Sequence, residues 1–381
     1  MTRSNASAAL VLLCALVLPR HLEAQPLPKG FSPGNGTIWM GSYSGHLTAV
    51  DEATGVFTKV PLKTGAPFAV RLSADRTRFY VQSANMEKFE VVDAVTRQSV
   101  DSFSLSDARK HVRALTYEVD PQHKTMVIVA RTATRQIDRW EISPVENLIY
   151  DLAAHAVTRT IPWTIDPEPT PYSLALRFSP DGRLLYLFGH NVTVLDVATM
   201  QEVDSWDLSR PVDASLGRFE PGPWDDTFDP QGRVTSLFEM QDAVMHRKLL
   251  VIGQVDLAAK TVETFPLGPV PEADGYSFHV SPDRRTAHVL LAEIGRHQLW
   301  TIDMASHQIT SRVDVPTRTR MQMRASSNGQ ALYIYEAGRT IEIYTADGRT
   351  KLKTIELDSD MMYATFTIVP GTPAAPKPTA K

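Results

Sequence analysis

The chain has 381 residues, of which 43% are hydrophobic and 22% are charged, and its formal net charge is −4. This composition can bury a sizeable core and is unlike that of disordered chains. The small net charge, with no long run of either sign, argues against nucleic acid or an anionic membrane surface as the main partner.

The first 24 residues are typical of a secretory signal peptide. Arg3 supplies a positive start, residues 8–19 form an apolar run, and Leu22-Glu23-Ala24 offers a cleavage site. The apolar run is shorter than the roughly 20 residues that cross a bilayer, and no later stretch approaches that length. We therefore expect a soluble mature protein without a membrane span, located in the periplasm or outside the cell.

The single cysteine, Cys14, lies within this apolar run. Its removal with the signal peptide would leave no thiol for disulfides, thiolate metal ligands or cysteine catalysis. The alternative is a lipoprotein acylated on Cys14, which is less favoured because the preceding Leu13 is large where the processing enzyme prefers a small residue.

An internal repeat follows, and it is clearest in residues 176–211. Period-2 alternation, β-branched and aromatic residues, and Pro, Gly and Asp at the breaks predict four strands in this unit. The first ends at Ser179, and the others cover residues 184–188, 192–196 and 203–208. A four-stranded unit of this kind is one blade of a β-propeller.

Two turns of the unit recur along the chain. The first recurs at residues 73–76, 120–123, 179–182, 229–232, 281–284 and 326–329. The second recurs at residues 51–54, 93–96, 141–143, 196–199, 256–258, 303–305 and 345–348. These six and seven copies differ because residues 36–62 hold only three strands, while residues 361–370 hold one more.

The two chain ends together complete a seventh blade, and pairing them in one sheet closes the ring and protects its edge strands. We therefore predict an all-β fold, a seven-bladed propeller of four-stranded antiparallel blades over residues 25–370. Six or eight blades remain alternatives if the long unit at residues 115–166 is miscounted. The tail, residues 371–381, is rich in Pro, Ala and Lys and is expected to be disordered.

Residues 79–100 and 184–203 resemble the YVTN-type repeat, in which a Tyr-Val strand, a short Asn-containing turn, a Val-x-Val-x-Asp strand and an Ala-Thr turn follow one another. Several copies lack the Asn of that repeat, and the unit around residues 131–140 matches it poorly. Propellers with such repeats are similar to the propeller subunits of quinoprotein amine dehydrogenases and to many exported proteins. The resemblance implies a propeller, and it allows a periplasmic redox complex in which another chain carries the quinone.

Binding residues are expected on the connectors between blades, which crowd around one mouth of the central channel. The residues of these connectors suggest an aromatic centre with charged neighbours. Such a group fits either a recognition surface or a set of aromatic wedges between blades. The candidate ligand-binding residues are Phe68, Arg113, Tyr172, Trp224, Asp225, Asp226, Tyr276, Arg320 and Tyr363.

No catalytic signature accompanies them, since the sequence has neither G-x-S-x-G nor a Gly-rich phosphate loop. His279, His288, His297 and His307 fall on successive strands and form no recognised ligand pattern, so we predict no metal site. No cofactor can be named. The leading hypothesis is an exported, non-catalytic propeller that binds a protein partner or small ligand at the channel mouth. The alternatives are the redox-complex subunit and a propeller hydrolase such as a lactonase, with calcium as a candidate ion.

Overall fold

A computed structural model describes residues 27–165, 169–170, 174–189, 191–207, 228–242, 244–269, 273–293, 296–316, 321–362 and 365–371. The predicted signal peptide and nearly all of the predicted tail lie outside these residues. The described part forms seven antiparallel sheets, each one blade of a β-propeller. No helix in this part could cross a membrane.

Each blade has up to four strands, which we number from the channel outward as first to fourth. Blade 1 contains β1 (Thr37–Ser42), β2 (His46–Asp51) and β3 (Phe57–Pro61). Blade 2 consists of β4 (Pro67–Leu72), β5 (Arg78–Ser83), β6 (Lys88–Asp93) and β7 (Gln98–Ser104). Blade 3 consists of β8 (Lys110–Val119), β9 (Thr125–Arg135), β10 (Trp140–Asp151) and β11 (Ala156–Pro162). Blade 4 consists of β12 (Ala175–Phe178), β13 (Leu184–Phe188), β14 (Val192–Asp196) and β15 (Gln201–Trp206).

Blade 5 shows three strands within the described residues, β16 (Arg233–Gln241), β17 (Lys248–Asp256) and β18 (Thr261–Pro269). Blade 6 consists of β19 (Ala273–Val280), β20 (Thr286–Glu293), β21 (Arg296–Asp303) and β22 (Gln308–Val315). Blade 7 consists of β23 (Gln322–Ala325), β24 (Ala331–Tyr335), β25 (Thr340–Thr345) and β26 (Lys351–Glu356). The last strand, β27 (Thr367–Val369), joins blade 1 as its first strand, in the order β27-β1-β2-β3.

Pairing of the two chain ends closes the ring, as predicted. Ile368 of β27 pairs with Ile38 of β1, and Met361 forms a further bridge with Ser42. The prediction of seven blades is confirmed, and the alternatives of six and eight are wrong. The strands predicted at residues 184–188 and 192–196 are also confirmed residue for residue as β13 and β14.

The core lies between the blades. Seven hydrophobic clusters of buried residues occur in the described part, and each is shared by two neighbouring blades. The cluster between blades 7 and 1 joins Tyr333 and Tyr335 to Ile38 and Ile368. Because every blade buries both faces against its neighbours, the ring is held by sheet-on-sheet packing all the way round.

A buried carboxylate reinforces the closure between blades 7 and 1. Glu52 is 2% exposed and accepts hydrogen bonds from the backbone N–H of Gly36 at 2.7 Å and of Ser327 at 3.0 Å. The hydroxyl of Tyr333, in β24, donates a third bond to it at 3.0 Å. Glu52 thus ties the segment before β1, and the turn between the third and fourth strands of blade 1, to blade 7.

The recurring turns share one local geometry. In the first turn, a Ser or Asp side chain accepts backbone N–H bonds, as where Arg78 N donates to Ser73 Oγ at 3.0 Å. In the second, an Asp caps the turn in most copies, as where Thr96 N donates to Asp93 at 2.6 Å, and Thr345 takes this place in blade 7. The last residue of each first turn has positive φ, with glycine in three copies and Arg76, His123 or Arg284 in the others. These short polar side chains explain why the turns could be found in the sequence.

One predicted turn is wrong. Residues 141–143 were expected to connect the last two strands of blade 3, but they lie within β10. The true turn follows at Asp151, whose carboxylate caps the N–H groups of Ala153 and Ala154. The error arose because the second and third strands of this blade are much longer than those of its neighbours.

Candidate functional site

The two faces of the ring carry different connections. Because successive strands are antiparallel, the connectors between blades and the turns between second and third strands share one face, here called the connector face. The other turns share the opposite face, here called the turn face. Backbone contacts bear this out, since Tyr43 N donates to Asp360 O at 3.2 Å and Arg135 N donates to Arg109 O at 2.8 Å.

Two of the predicted ligand-binding residues can be placed with their side chains. Phe68 is half-buried at a bulge where β4 begins, and Arg113 is exposed on β8 with its Nε 3.2 Å from Met86 Sδ. They lie on the first strands of blades 2 and 3, towards the connector face.

The other predicted site residues are not placed with their side chains. Of Tyr276 only the backbone, in β19, is described. The remaining candidates, which lie outside the described residues, are Tyr172, Trp224, Asp225, Asp226, Arg320 and Tyr363. The structure therefore leaves the aromatic ring at the mouth as a prediction.

A long hairpin of blade 3 dominates the connector face. Its strands β9 and β10 have 11 and 12 residues, against 6 in each of the equivalent β5 and β6. At about 3.4 Å per residue, the extra five residues of β9 carry its tip about 17 Å beyond the equivalent turn of blade 2. We call residues 131–145 the finger.

The finger exposes large apolar side chains at its tip. Ile137 is fully exposed, Ile142 is 66% exposed and Trp140 is 47% exposed. Its backbone is nevertheless well bonded, because Gln136 N donates to Arg139 O at 2.8 Å to close the turn. The apolar tip is thus presented at the end of a paired hairpin, whose strand β9 also pairs with β8 as far as Thr134.

A chain of side-chain contacts links Trp140 of the finger, through His111 on β8 of the same blade, to Glu87 of blade 2. The Trp140 ring meets the His111 ring edge to face at a centroid distance of 5.1 Å. His111 Nδ1 in turn lies 3.2 Å from both carboxylate oxygens of Glu87, in the turn between β5 and β6. This chain of contacts fixes Trp140 relative to the neighbouring blade.

Other exposed apolar side chains on this face lie at equivalent hairpin turns. Tyr43 in blade 1 and Val244 and Met245 in blade 5 are 55%, 75% and 61% exposed. The remaining large exposed hydrophobics of the described part are five valines on outer strands or the turn face, Val56, Val95, Val100, Val157 and Val203. Among the described residues, the exposed aromatic, isoleucine and methionine side chains therefore all lie on the connector face.

Sequence reasoning missed the finger as a functional element. Its signal was present, because residues 131–140 matched the repeat poorly and the spacing between turns was irregular there. In repeat proteins, insertions that depart from the repeat form loops, and binding residues are often found on such loops.

A second group of polar residues lines the channel towards the turn face. Arg71 on β4 and Arg177 on β12 each place Nη1 3.1 Å from the same oxygen, Oε2 of Glu118 on β8. All three side chains are about one-fifth to one-quarter exposed. Blades 2 and 4 lie on opposite sides of blade 3, and only the channel gives both of them access to the same carboxylate oxygen, so the Glu118 carboxylate lies on the channel side.

Of the four histidines singled out in blade 6, three lie on successive strands, whereas His307 lies in the turn between β21 and β22. His279 and His288 are buried and pair directly across β19 and β20, while His307 stacks on Phe265 of blade 5 at 3.5 Å between centroids. Burial lowers the pKa of His288 to about 3, which keeps the ring neutral. No group of three or more His, Cys, Asp or Glu side chains suited to a metal occurs in the described residues.

No family model matches the chain, and no curated protein matches it. Among solved structures, a functionally unknown protein from Desulfotomaculum acetoxidans DSM 771 is 14% identical with a TM-score of 0.51, over 89% of this chain and 100% of that one. Hydrazine synthase of Kuenenia stuttgartiensis is 16% identical with a TM-score of 0.49, over 90% of this chain and 99% of that one. Dihydro-heme d1 dehydrogenase NirN in complex with DHE is 15% identical with a TM-score of 0.49, over 88% and 76%. At such identities the likeness concerns the fold alone.

Proposed function

We propose that this chain is an exported, non-catalytic β-propeller that binds a partner protein on its connector face, with the finger as the main anchor. Export is supported by the signal-like first 24 residues and by the resemblance to YVTN-type propellers. The exposed Ile137, Trp140 and Ile142 at the end of a paired hairpin carry the proposal.

Exposed side chains of these types are unfavourable in water unless a partner covers them. Isolated exposed apolar residues are ordinary, but here three lie within six residues at the tip of one projection. Trp is also among the residue types most enriched at interface hot spots, where truncation costs about 2 kcal/mol or more. The tip therefore has the composition of a binding anchor.

The ordered backbone of the finger favours binding as well. Its turn is closed by a backbone bond, and Trp140 is held by His111. A contact surface that is formed before association loses less conformational entropy when the partner binds.

The charges of the tip favour a protein partner over an anionic membrane. Arg135 and Arg139 are balanced by Asp138 and Glu141, so their formal charges sum to zero. Arg139 Nη1 lies 3.3 Å from Asp138, which is exposed beside Ile137 and would be repelled by an anionic surface. Apolar residues in the centre with charges of both signs around them are typical of protein interfaces.

Site-specific photo-crosslinking in the native host tests the proposal. A photoreactive residue at Ile137 should crosslink one partner protein. The same photoreactive residue at Val244 should crosslink that partner or a protein bound to it. Val95, exposed on the turn face, is the matched control and should give no such product. Equal products from Val95 and Ile137, or none from Ile137, would refute the connector face as a docking surface.

The identified partner then allows a quantitative test. Trp140→Ala should weaken its binding at least tenfold, about 1.4 kcal/mol, because the main aromatic contact is lost. The fold should be retained, since Trp140 is 47% exposed and lies outside the blade-to-blade core. Val95→Ala should leave the affinity unchanged.

A further inference from the structure

The first strands present one equivalent position around the channel, two residues before the first turn. It is defined by pairing with the third residue of the second strand, as Arg71 pairs with Tyr80 and Arg324 with Tyr333. In blades 1, 2, 3, 4, 6 and 7 the position holds Thr367, Arg71, Glu118, Arg177, His279 and Arg324. The equivalent residue of blade 5 lies outside the described part.

Contacts fix the arginines of blades 2 and 4 towards the shared carboxylate. Besides its bond to Glu118, Arg71 donates from Nη2 to Thr116 Oγ1 at 3.3 Å and lies 4.9 Å from the centre of the Tyr117 ring. A guanidinium held by stacking and by a hydroxyl is pre-oriented, and it presents a planar fork of donors.

The turn face partly closes the channel below this layer. Gln231 Nε2, in the first turn of blade 5, donates to Ala74 O, in the first turn of blade 2, at 3.3 Å. Blades 2 and 5 stand on opposite sides of the ring, so this bond crosses the channel. The layer of arginines therefore lies near the end of the channel at the turn face.

The layer carries an excess of positive charge. Among its described residues, three arginines oppose one carboxylate, which leaves a formal charge of +2. His279 adds none, because burial and the nearby charge of Arg324 hold its pKa well below the ordinary value. Like charges in a half-buried channel repel one another and attract anions from solution.

We propose that the channel binds a small dianion, held by Arg71, Arg177 and Arg324 near the turn face. Two negative charges neutralise the excess of the layer, and carboxylate and phosphate oxygens both fit the guanidinium fork. The ligand class is therefore a dicarboxylate or a phosphate compound. This site is separate from the finger and does not depend on a protein partner.

Calorimetric titration at low ionic strength tests the site with three probes, inorganic phosphate, succinate and acetate. At least one dianion should bind with a Kd below about 1 mM, and acetate should bind at least tenfold more weakly. Binding of phosphate alone identifies a phosphate compound as the ligand class, and binding of succinate alone identifies a dicarboxylate. Absence of binding by both dianions would overturn the proposal.

Channel variants separate a specific site from general attraction. Arg71→Met and Arg324→Met should each weaken binding of the dianion at least tenfold, while Arg349→Met, on an exposed turn, should not change it. Glu118→Gln should strengthen binding severalfold, because it removes the negative charge that competes with the ligand. Arg324 donates to the Met323 carbonyl of its own strand, so its variant carries the test even if Arg71→Met fails to fold.

Equal affinity in wild type, Arg324→Met and Glu118→Gln would overturn the channel site. Trp140→Ala on the finger should bind the dianion normally, so failure of the docking proposal leaves this test intact.

Discussion

Removing the Glu52 carboxylate should weaken the closure of the ring. In Glu52→Ala, two backbone N–H groups and the hydroxyl of Tyr333 lose their acceptor. Each buried donor without a partner costs about 1–3 kcal/mol. Gly36 and Tyr333 are buried, whereas Ser327 is half-buried and can bind water, so we expect a total loss of about 3–5 kcal/mol.

Urea unfolding measures this loss as a shift of the midpoint at constant slope. Glu52→Gln keeps one carbonyl oxygen and should lose about 1–2 kcal/mol. Glu202→Ala, which removes an exposed carboxylate from the outer strand β15, should stay within about 0.5 kcal/mol of wild type. Hydrogen exchange provides the local readout, because the amides of Gly36 and Ser327 should lose protection in Glu52→Ala.

The reasoning fails if Glu52→Ala remains within about 0.5 kcal/mol of wild type. It also fails if stability falls while exchange at Gly36 and Ser327 is unchanged, because the loss would then arise elsewhere in the ring.

Three further predictions concern acid stability, ring closure and the mouth. His288 has a folded pKa of about 3, below its unfolded value, so its contribution to stability is present above about pH 6.5 and is lost on acidification. Between pH 7.5 and pH 5, the free energy of unfolding measured in urea should therefore fall by about 2 kcal/mol less in His288→Gln than in wild type. Equal decreases in the two proteins would contradict the buried neutral ring. Deleting residues 361–381 should cause unfolding or aggregation by exposing β1, whereas deleting residues 372–381 should leave the melting temperature unchanged; the reverse order would be inconsistent with the closure. Trp224→Ala should weaken partner binding at least tenfold, about 1.4 kcal/mol, with the fold intact if its connector recognises the partner. A loss of about 3–5 kcal/mol of stability with normal affinity would instead identify Trp224 as a wedge between blades.

The sequence determined the architecture of this protein because the relevant signals are local. A Ser or Asp that caps its own turn acts within five residues, as Ser73 and Asp93 do, and most copies could be recognised from the sequence around them. Counting the two kinds of turn was enough to predict seven blades and to join the chain ends. The same rule failed in blade 3, where residues 141–143 looked like a turn but lie in the long strand β10.

The candidate sites depended on tertiary structure. In the sequence, Arg71, Glu118 and Arg177 are separated by 47 and 59 residues, and only the arrangement of blades around one axis brings them to a shared oxygen. Likewise, Ile137 and Trp140 are of residue types that are usually buried in strands. They are exposed here because their hairpin extends past the neighbouring blades. Hydrophobic pattern and turn chemistry describe what a segment can form, whereas the surroundings of a side chain are set by segments that are distant in the chain.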